Sequence, residues 1–177
     1  MRMGWLAVTG FGLILGLSSA VVAGEKATPA RVAPRATSAG FEKMKTLIGD
    51  WAGASDGEGH DAKVQVSYAL TSAGSAVIET LQTEHGTMVT MYHPDGEAVM
   101  MTHYCAAGNQ PRMRAKGAGD KELAFSFVDA TNLSSPEAMH MHDLKITFND
   151  ADHITQEWTT SAGGKKTPVV FKLERKK

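Results

Sequence analysis

Two histidines separated by one residue form the arrangement in this chain that is best suited to binding chemistry. They are His140 and His142, in the stretch "HMHDLKITF". On a strand, side chains two residues apart share a face at a spacing of about 6 to 7 Å. That spacing suits two imidazoles that hold one zinc, copper or iron ion. The alternative is that the two imidazoles hydrogen-bond inside a polar barrel lumen or line its rim. A metal ion would need a further ligand, for which His103, Cys105 and His93 are the candidates.

The stretch "MTHYCAAGNQPRM" at 101–113 also combines reactive residue types around one bend. His103 and Cys105 would stand side by side on a strand and not point at each other. This disfavours a thiolate with its base, so we assign no catalytic residue and favour binding over enzymatic activity. The lone cysteine is expected to be buried. Arg112, after the bend, would attract a carboxylate or phosphate if it faced inward, and would be solvated if it faced outward.

Turn-forming clusters such as "TSAGS", "HPDGE" and "SAGGKK" recur along the chain and predict short strands between them. We expect ten strands, near 51–54, 62–70, 76–83, 87–93, 97–105, 111–117, 122–128, 139–148, 152–160 and 167–175. Consecutive strands joined by tight hairpins would leave two exposed edges in an open sheet. The predicted fold is therefore all-β, a ten-stranded antiparallel meander that closes into a barrel.

One short helix is predicted before the strands, and it is expected to plug one end of the barrel. Ser38 can cap it, and Gly49 can end it. Its apolar face is predicted to carry Phe41, Met44, Leu47 and Ile48. The preceding stretch, 24–40, is rich in Ala, Pro and Arg and reads as a flexible linker, so the barrel domain is predicted to cover 41–177.

The first residues are typical of a cleavable signal peptide. Arg2 supplies the positive charge, the apolar run at 5–17 is too short for a stable membrane anchor, and small residues follow it. We predict a signal peptide at 1–23, with cleavage near Ala23 or Gly24, and hence a secreted or periplasmic protein without a stable anchor. The full chain has a net charge of -1, and its basic residues form no stripe that would suit nucleic acid.

Alternation along the strands predicts which side chains face the lumen. His140 and His142 fall in register with Leu144 and Ile146 on one face. A ten-stranded barrel is wider than one filled by its own side chains, so polar residues inside it indicate a wet or liganded cavity. The predicted ligand-binding residues are His140, His142, His103, Arg112, Trp158 and Tyr68.

Two short motifs resemble the lipocalin and fatty-acid-binding-protein superfamily. "LIGDWAG" is similar to its opening strand and "FKLERKK" to its closing strand. The resemblance implies that Arg175 packs over Trp51 at the plugged end. Together with "THYCAAGNQPRM", "HMHDLKITF" and "DADHITQEWT", these motifs resemble uncharacterised bacterial exported proteins with this barrel. No Arg-x-Tyr pair follows Ile154, and the closing strand has no histidine, so neither a fatty-acid carboxylate site nor a nitrobindin-like haem ligand carries over.

These observations favour an exported barrel that binds a small apolar or amphipathic molecule, with His140 and His142 as the polar anchor. The alternative is a metal- or haem-binding barrel that uses those imidazoles, with His103 as a third metal ligand and with redox or lyase activity. A third hypothesis is a structural or interaction module whose lumen is filled. Ligand, cofactor and oligomeric state do not follow from the sequence.

Overall fold

The computed structural model describes residues 38–56 and 62–177. The predicted signal peptide, its cleavage site and most of the predicted linker lie outside the described residues. The described chain forms one helix, α1, a short 3-10 turn at Ser72–Gly74 and ten strands. The helix and strands are α1 (Ala39–Lys45), β1 (Gly49–Ser55), β2 (Ala62–Thr71), β3 (Ala76–Thr83), β4 (Gly86–Asp95), β5 (Ala98–Tyr104), β6 (Gln110–Ala115), β7 (Glu122–Thr131), β8 (His140–Phe148), β9 (His153–Ala162) and β10 (Lys165–Arg175).

The ten strands form one closed antiparallel barrel in which each strand pairs with the next along the chain. β10 returns to pair with β1, where Trp51 lies opposite Arg175. Closure removes the two edges that an open meander would expose. The predicted fold class is confirmed, and each predicted strand overlaps one observed strand.

The helix begins two residues earlier than the predicted domain boundary and ends well before Gly49. The Ser38 side chain accepts a hydrogen bond from the Phe41 backbone N–H at 3.2 Å, as an N-cap does. The side chains of Phe41, Met44 and Leu47 are buried in the core. The prediction that Ile48 shares this buried face is wrong, since the helix ends at Lys45 and Ile48 is 41% exposed.

The helix closes the end of the barrel at which β5 and β7 begin. The Ser38 hydroxyl donates to the Ala98 carbonyl at 3.3 Å, and the Lys43 ammonium donates to the Gly119 carbonyl at 2.7 Å. Antiparallel strands reverse direction at each turn, so β8 begins at the opposite end, with His140. We call that opposite end the mouth.

The seam between the first and last strands carries the contact that the resemblance implied. The Arg175 guanidinium carbon lies 4.2 Å from the centre of the Trp51 ring, and the guanidinium donates to the carbonyls of Ile48 and Thr46, each at 2.8 Å. The Trp51 indole N–H donates to the Leu47 carbonyl at 2.8 Å. The chain that leaves the helix is therefore tied to the closing strand.

Large side chains occupy much of the lumen. The most deeply buried ones include Trp51, Trp158, Tyr68, Tyr92, Phe125, Met101 and Met113. A cavity of about 460 Å³ lies elsewhere, over Gly53 beside β9 and β10, and is lined by exposed residues such as His153, Lys172 and Glu174. Among the described residues, no helix has both the length and the apolarity to cross a bilayer.

The close approach of β1 to β10 predicts that Gly53→Ala destabilises the barrel. A Cβ at this position would lie 1.8 Å from the Lys172 carbonyl oxygen, which is backbone and cannot move aside without opening the seam. We expect the free energy of unfolding, measured by urea denaturation, to fall by about 2 kcal/mol or more. Gly117→Ala is the matched control, because its Cβ would meet no atom within 4 Å among the described residues. Equal stability of the two variants would contradict this account of the seam.

Candidate functional site

Four polar or aromatic residues stand side by side across strands β2 to β5. In the register of the sheet, Tyr68 lies opposite Glu79, Glu79 opposite Thr90, and Thr90 opposite His103. All four side chains are buried. We call this set the inner row.

Strand alternation explains why a carboxylic acid lies in the interior. Glu79 stands between Val77 and Leu81, and all three are buried because they share the inward face of β3. In the same way Gln156 lies inward on β9 between Ile154 and Trp158. Once the barrel closes, these polar groups must find their partners inside the lumen.

The Glu79 side chain is held by a hydrogen-bond network from across the barrel. Its Oε2 accepts from the Tyr92 hydroxyl at 2.9 Å and from the Gln156 amide at 3.1 Å. The same amide also donates to the Tyr68 hydroxyl at 2.5 Å. The Trp158 indole N–H donates to the Gln156 Oε1 at 3.0 Å, which fixes the orientation of the amide.

The network continues on the other side of Tyr92 to the histidine of the inner row. Thr90 hydrogen-bonds the Tyr92 hydroxyl, and its Oγ1 lies 2.9 Å from Nδ1 of His103. The His103 ring lies 4.8 Å from the Trp158 ring, centre to centre. The donor in the contact between Thr90 and His103 depends on the tautomer of the imidazole, and Nε2 has the opposite role to Nδ1 in the neutral ring.

Two atoms of the inner row are buried without a hydrogen-bond partner among the described residues. They are Oε1 of Glu79 and Nε2 of His103. Thr90 lies between these two residues in the row and has the smallest side chain of the four. The α-carbons of Glu79 and His103 are two strand spacings apart, about 10 Å. The two residues that carry the unpartnered atoms therefore flank the shortest side chain of the row.

Burial determines the charge state of both flanking groups. It raises the pKa of Glu79 to about 7, an increase that hydrogen bonds from Tyr68, Tyr92 and Gln156 oppose. It lowers the pKa of His103 to about 4. Burial, and next the charge of Glu79, raise the pKa values of Tyr68 and Tyr92 well above their usual range. Between about pH 4 and pH 7 the inner row is therefore predominantly uncharged.

The predicted histidine pair lies at the mouth and packs on one aromatic ring. His140 is buried, His142 is half-buried, and their ring centres lie 4.8 and 4.9 Å from that of Phe127. Nε2 of His140 lies 3.2 Å from Nδ1 of His142, and the other nitrogen of His140 lies 2.7 Å from the Ala138 carbonyl oxygen. We call His140 and His142 the mouth pair.

The remaining predicted residues divide between the lumen and the outer surface. Tyr68 and Trp158 are buried in the lumen, as expected. Arg112 faces outward, with its side chain 49% exposed and paired with Asp129, so it does not line the lumen. Cys105 is a free thiol that is half-buried and not fully buried as predicted, because it follows the end of β5.

The described residues do not bring together three or more His, Cys, Asp or Glu side chains in a group that could hold a metal ion. His103 belongs to the inner row and does not join the mouth pair in such a group.

The amide N–H of Asn109 donates to the Met139 carbonyl at 2.7 Å, which fixes the backbone just before the mouth pair.

Comparison with known proteins gives no assignment, since no family model matches the chain and no curated protein is similar to it in sequence. The interpretation of the site therefore depends on its geometry. Sequence reasoning did not single out Glu79, Thr90, Tyr92 or Gln156. The signal was present for Glu79 and Gln156, because each is a polar residue at an inward position between two apolar ones.

The shifted pKa values predict opposite pH dependences for two variants. From pH 4.5 to about 7, folded Glu79 keeps a proton that the unfolded chain has lost, so Glu79 lowers stability as the pH rises. From about pH 4 to 6.5, the unfolded chain holds a proton that folded His103 lacks, so His103 raises stability as the pH rises. Each contribution is about 3 kcal/mol across its window, and in the native protein the two largely cancel.

Glu79→Gln and His103→Asn separate these contributions. Relative to the native protein, Glu79→Gln should gain free energy of unfolding as the pH rises from 4.5 to 7, whereas His103→Asn should lose it from pH 4 to 6.5. Urea denaturation at a series of pH values measures how the free energy of unfolding of each variant changes with pH. A change in stability that is the same at every pH does not affect this comparison. Curves that run parallel to that of the native protein would show that neither group is buried as described.

Proposed function

We propose that this protein is a small-molecule-binding barrel whose ligand lies in the lumen against the inner row. The observation that supports this proposal best is the pair of unpartnered buried atoms, Oε1 of Glu79 and Nε2 of His103. Buried polar groups are nearly always hydrogen-bonded, and each one left unsatisfied costs about 1 to 3 kcal/mol. A single molecule above Thr90 that bonds both atoms would remove both costs.

The hydrogen-bond pattern specifies the polar group of such a ligand. Glu79 Oε2 already accepts two hydrogen bonds, so the acid proton belongs on the unpartnered Oε1, which then needs an acceptor. In the tautomer in which His103 Nδ1–H donates to Thr90, His103 Nε2 is an acceptor and needs a donor. A hydroxyl or a primary amide supplies both functions in one group. The proposed ligand is therefore an alcohol or an amide.

The charge state of the site favours a neutral ligand. Glu79 holds its proton below about pH 7, and His103 is neutral above about pH 4. An anion would meet only uncharged groups in the inner row and would lose its hydration on entering. The rings of Tyr92 and Trp158 beside the row suit an apolar or amphipathic body. Compared with the sequence prediction, the proposed polar anchor moves from the mouth pair to Glu79 and His103.

A matched series of six-carbon molecules tests this proposal. At pH 6, 1-hexanol and hexanamide should raise the melting temperature and give saturable heats in calorimetric titration, whereas hexane and hexanoate should not. Native mass spectrometry of the freshly purified protein should also detect a small neutral molecule. No response to any of the four compounds would favour the structural module with a filled lumen, and equal responses to all four would contradict the proposed polar anchor.

Two threonine variants test whether 1-hexanol binds at the inner row. Thr90→Leu places a larger, apolar side chain between Glu79 and His103, so it should abolish the response to 1-hexanol. Thr102→Leu makes the same change on the neighbouring strand, at a position that pairs with the outward-facing Arg112, and should leave the response intact. If Thr90→Leu folds poorly, Glu79→Met serves instead, since methionine has a similar length and cannot donate a hydrogen bond to the alcohol. Unchanged binding by the inner-row variants would refute the location.

A further inference from the structure

We propose that the mouth pair is a two-imidazole site for a divalent late first-row metal ion, with Cu²⁺ bound most tightly. This site is separate from the inner row, and the proposal does not depend on a ligand in the lumen. It also differs from the three-histidine site expected from the sequence, because His103 takes no part.

A β-bulge brings the two imidazoles together. On β9, Thr160 pairs with Met141 and Thr159 pairs with Asp143, so His142 is the extra residue in β8. On a regular strand the two side chains would be about 6 to 7 Å apart. The bulge re-aims His142, as bulges beside functional sites do, and Nε2 of His140 then lies 3.2 Å from Nδ1 of His142.

That separation fits two ligands of one ion. Imidazole nitrogens bind Zn²⁺ and similar ions at about 2.0 to 2.1 Å. Two such bonds at an angle between square-planar and tetrahedral place the nitrogens about 2.9 to 3.4 Å apart. The observed 3.2 Å lies within this range, so an ion can enter without a large movement of either ring.

The surroundings of His140 already have the form of a metal ligand's outer shell. A carbonyl oxygen only accepts, so Nδ1 of His140 donates its proton to Ala138, at 2.7 Å. Nε2 of the neutral ring therefore presents a lone pair toward His142. Metal-bound histidines usually donate their second ring N–H in this way, which fixes the tautomer and the ring orientation.

Metal binding requires one change of tautomer at His142. In the metal-free pair, the His142 Nδ1–H donates to Nε2 of His140. When an ion binds, that proton moves to Nε2 of His142, and both lone pairs then face the ion.

The donor set selects the class of ion. Neutral imidazole suits Cu²⁺, Zn²⁺ and Ni²⁺, and the Irving–Williams order places Cu²⁺ first among them. No third His, Cys, Asp or Glu joins the pair in such a group within the described part of the chain, so water would supply the other positions. Asp143 beside the pair is bound to Lys166 at 2.9 Å, which leaves the local charge nearly balanced.

The test is titration of the full protein with CuSO₄, ZnCl₂ and NiCl₂ at pH 7.5, followed by calorimetry and, for Cu²⁺, by electron paramagnetic resonance. We expect one Cu²⁺ to bind per chain and to give an electron paramagnetic resonance spectrum that is split by two imidazole nitrogens. Of the three ions, Cu²⁺ should bind most tightly. Binding should weaken as the pH falls, because protons compete for the same nitrogens. A spectrum with one nitrogen ligand or none would overturn the proposal.

Three variants assign the site. His142→Ala, at a half-buried position, and His140→Ala should each weaken Cu²⁺ binding by about tenfold or more. His93→Ala is the matched control and should bind as the native protein does, since His93 is exposed and its Nδ1 also lies near a carbonyl oxygen, that of Pro94, at 3.2 Å. Native affinity in His142→Ala, or an equal loss in His93→Ala, would refute the site.

Discussion

A closed sheet has an inside, and every polar side chain on its inner face must be satisfied there. This constraint determines the chemistry of the protein. β1 and β10 close the barrel through the contact of Arg175 with Trp51 and the close approach at Gly53. Closure removes Glu79, Gln156 and His103 from solvent. The hydrogen-bond network of the lumen is therefore a consequence of the same step that completes the fold.

The network satisfies only some of the buried polar atoms of the lumen. The proposed function rests on the atoms that it leaves unpartnered. Tyr92 and Gln156 satisfy one oxygen of Glu79, and Thr90 satisfies one nitrogen of His103. One atom of each group remains unpartnered among the described residues, on either side of Thr90. Because burial holds both groups neutral near pH 6, the two unpartnered atoms belong to uncharged groups. The mouth pair differs, since His142 is half-buried and the two imidazoles share one hydrogen bond, between Nε2 of His140 and Nδ1 of His142.

The fold could be predicted from the sequence because its signals are local. Turn-forming clusters mark the hairpins, and alternation placed Tyr68 and Trp158 inside. The same alternation also places Glu79 and Gln156 on inward faces. Their hydrogen-bond partners could not be predicted, because only the closed barrel shows which strands face one another across the lumen. Arg112 could not be placed from sequence, and its outward pairing with Asp129 depends on register. The bulge at His142 is also a property of pairing between β8 and β9, so no local pattern revealed it.

The state of the Glu79 carboxyl group tests the central claim most directly. Nuclear magnetic resonance can follow the side-chain carboxyl ¹³C of Glu79 through a pH titration, with Glu79→Gln to assign its signal. The account predicts a midpoint near pH 7, because the acid is buried in a closed lumen. A midpoint near the ordinary value of 4.5 would show that water reaches this carboxylate, and it would contradict the description of the inner row.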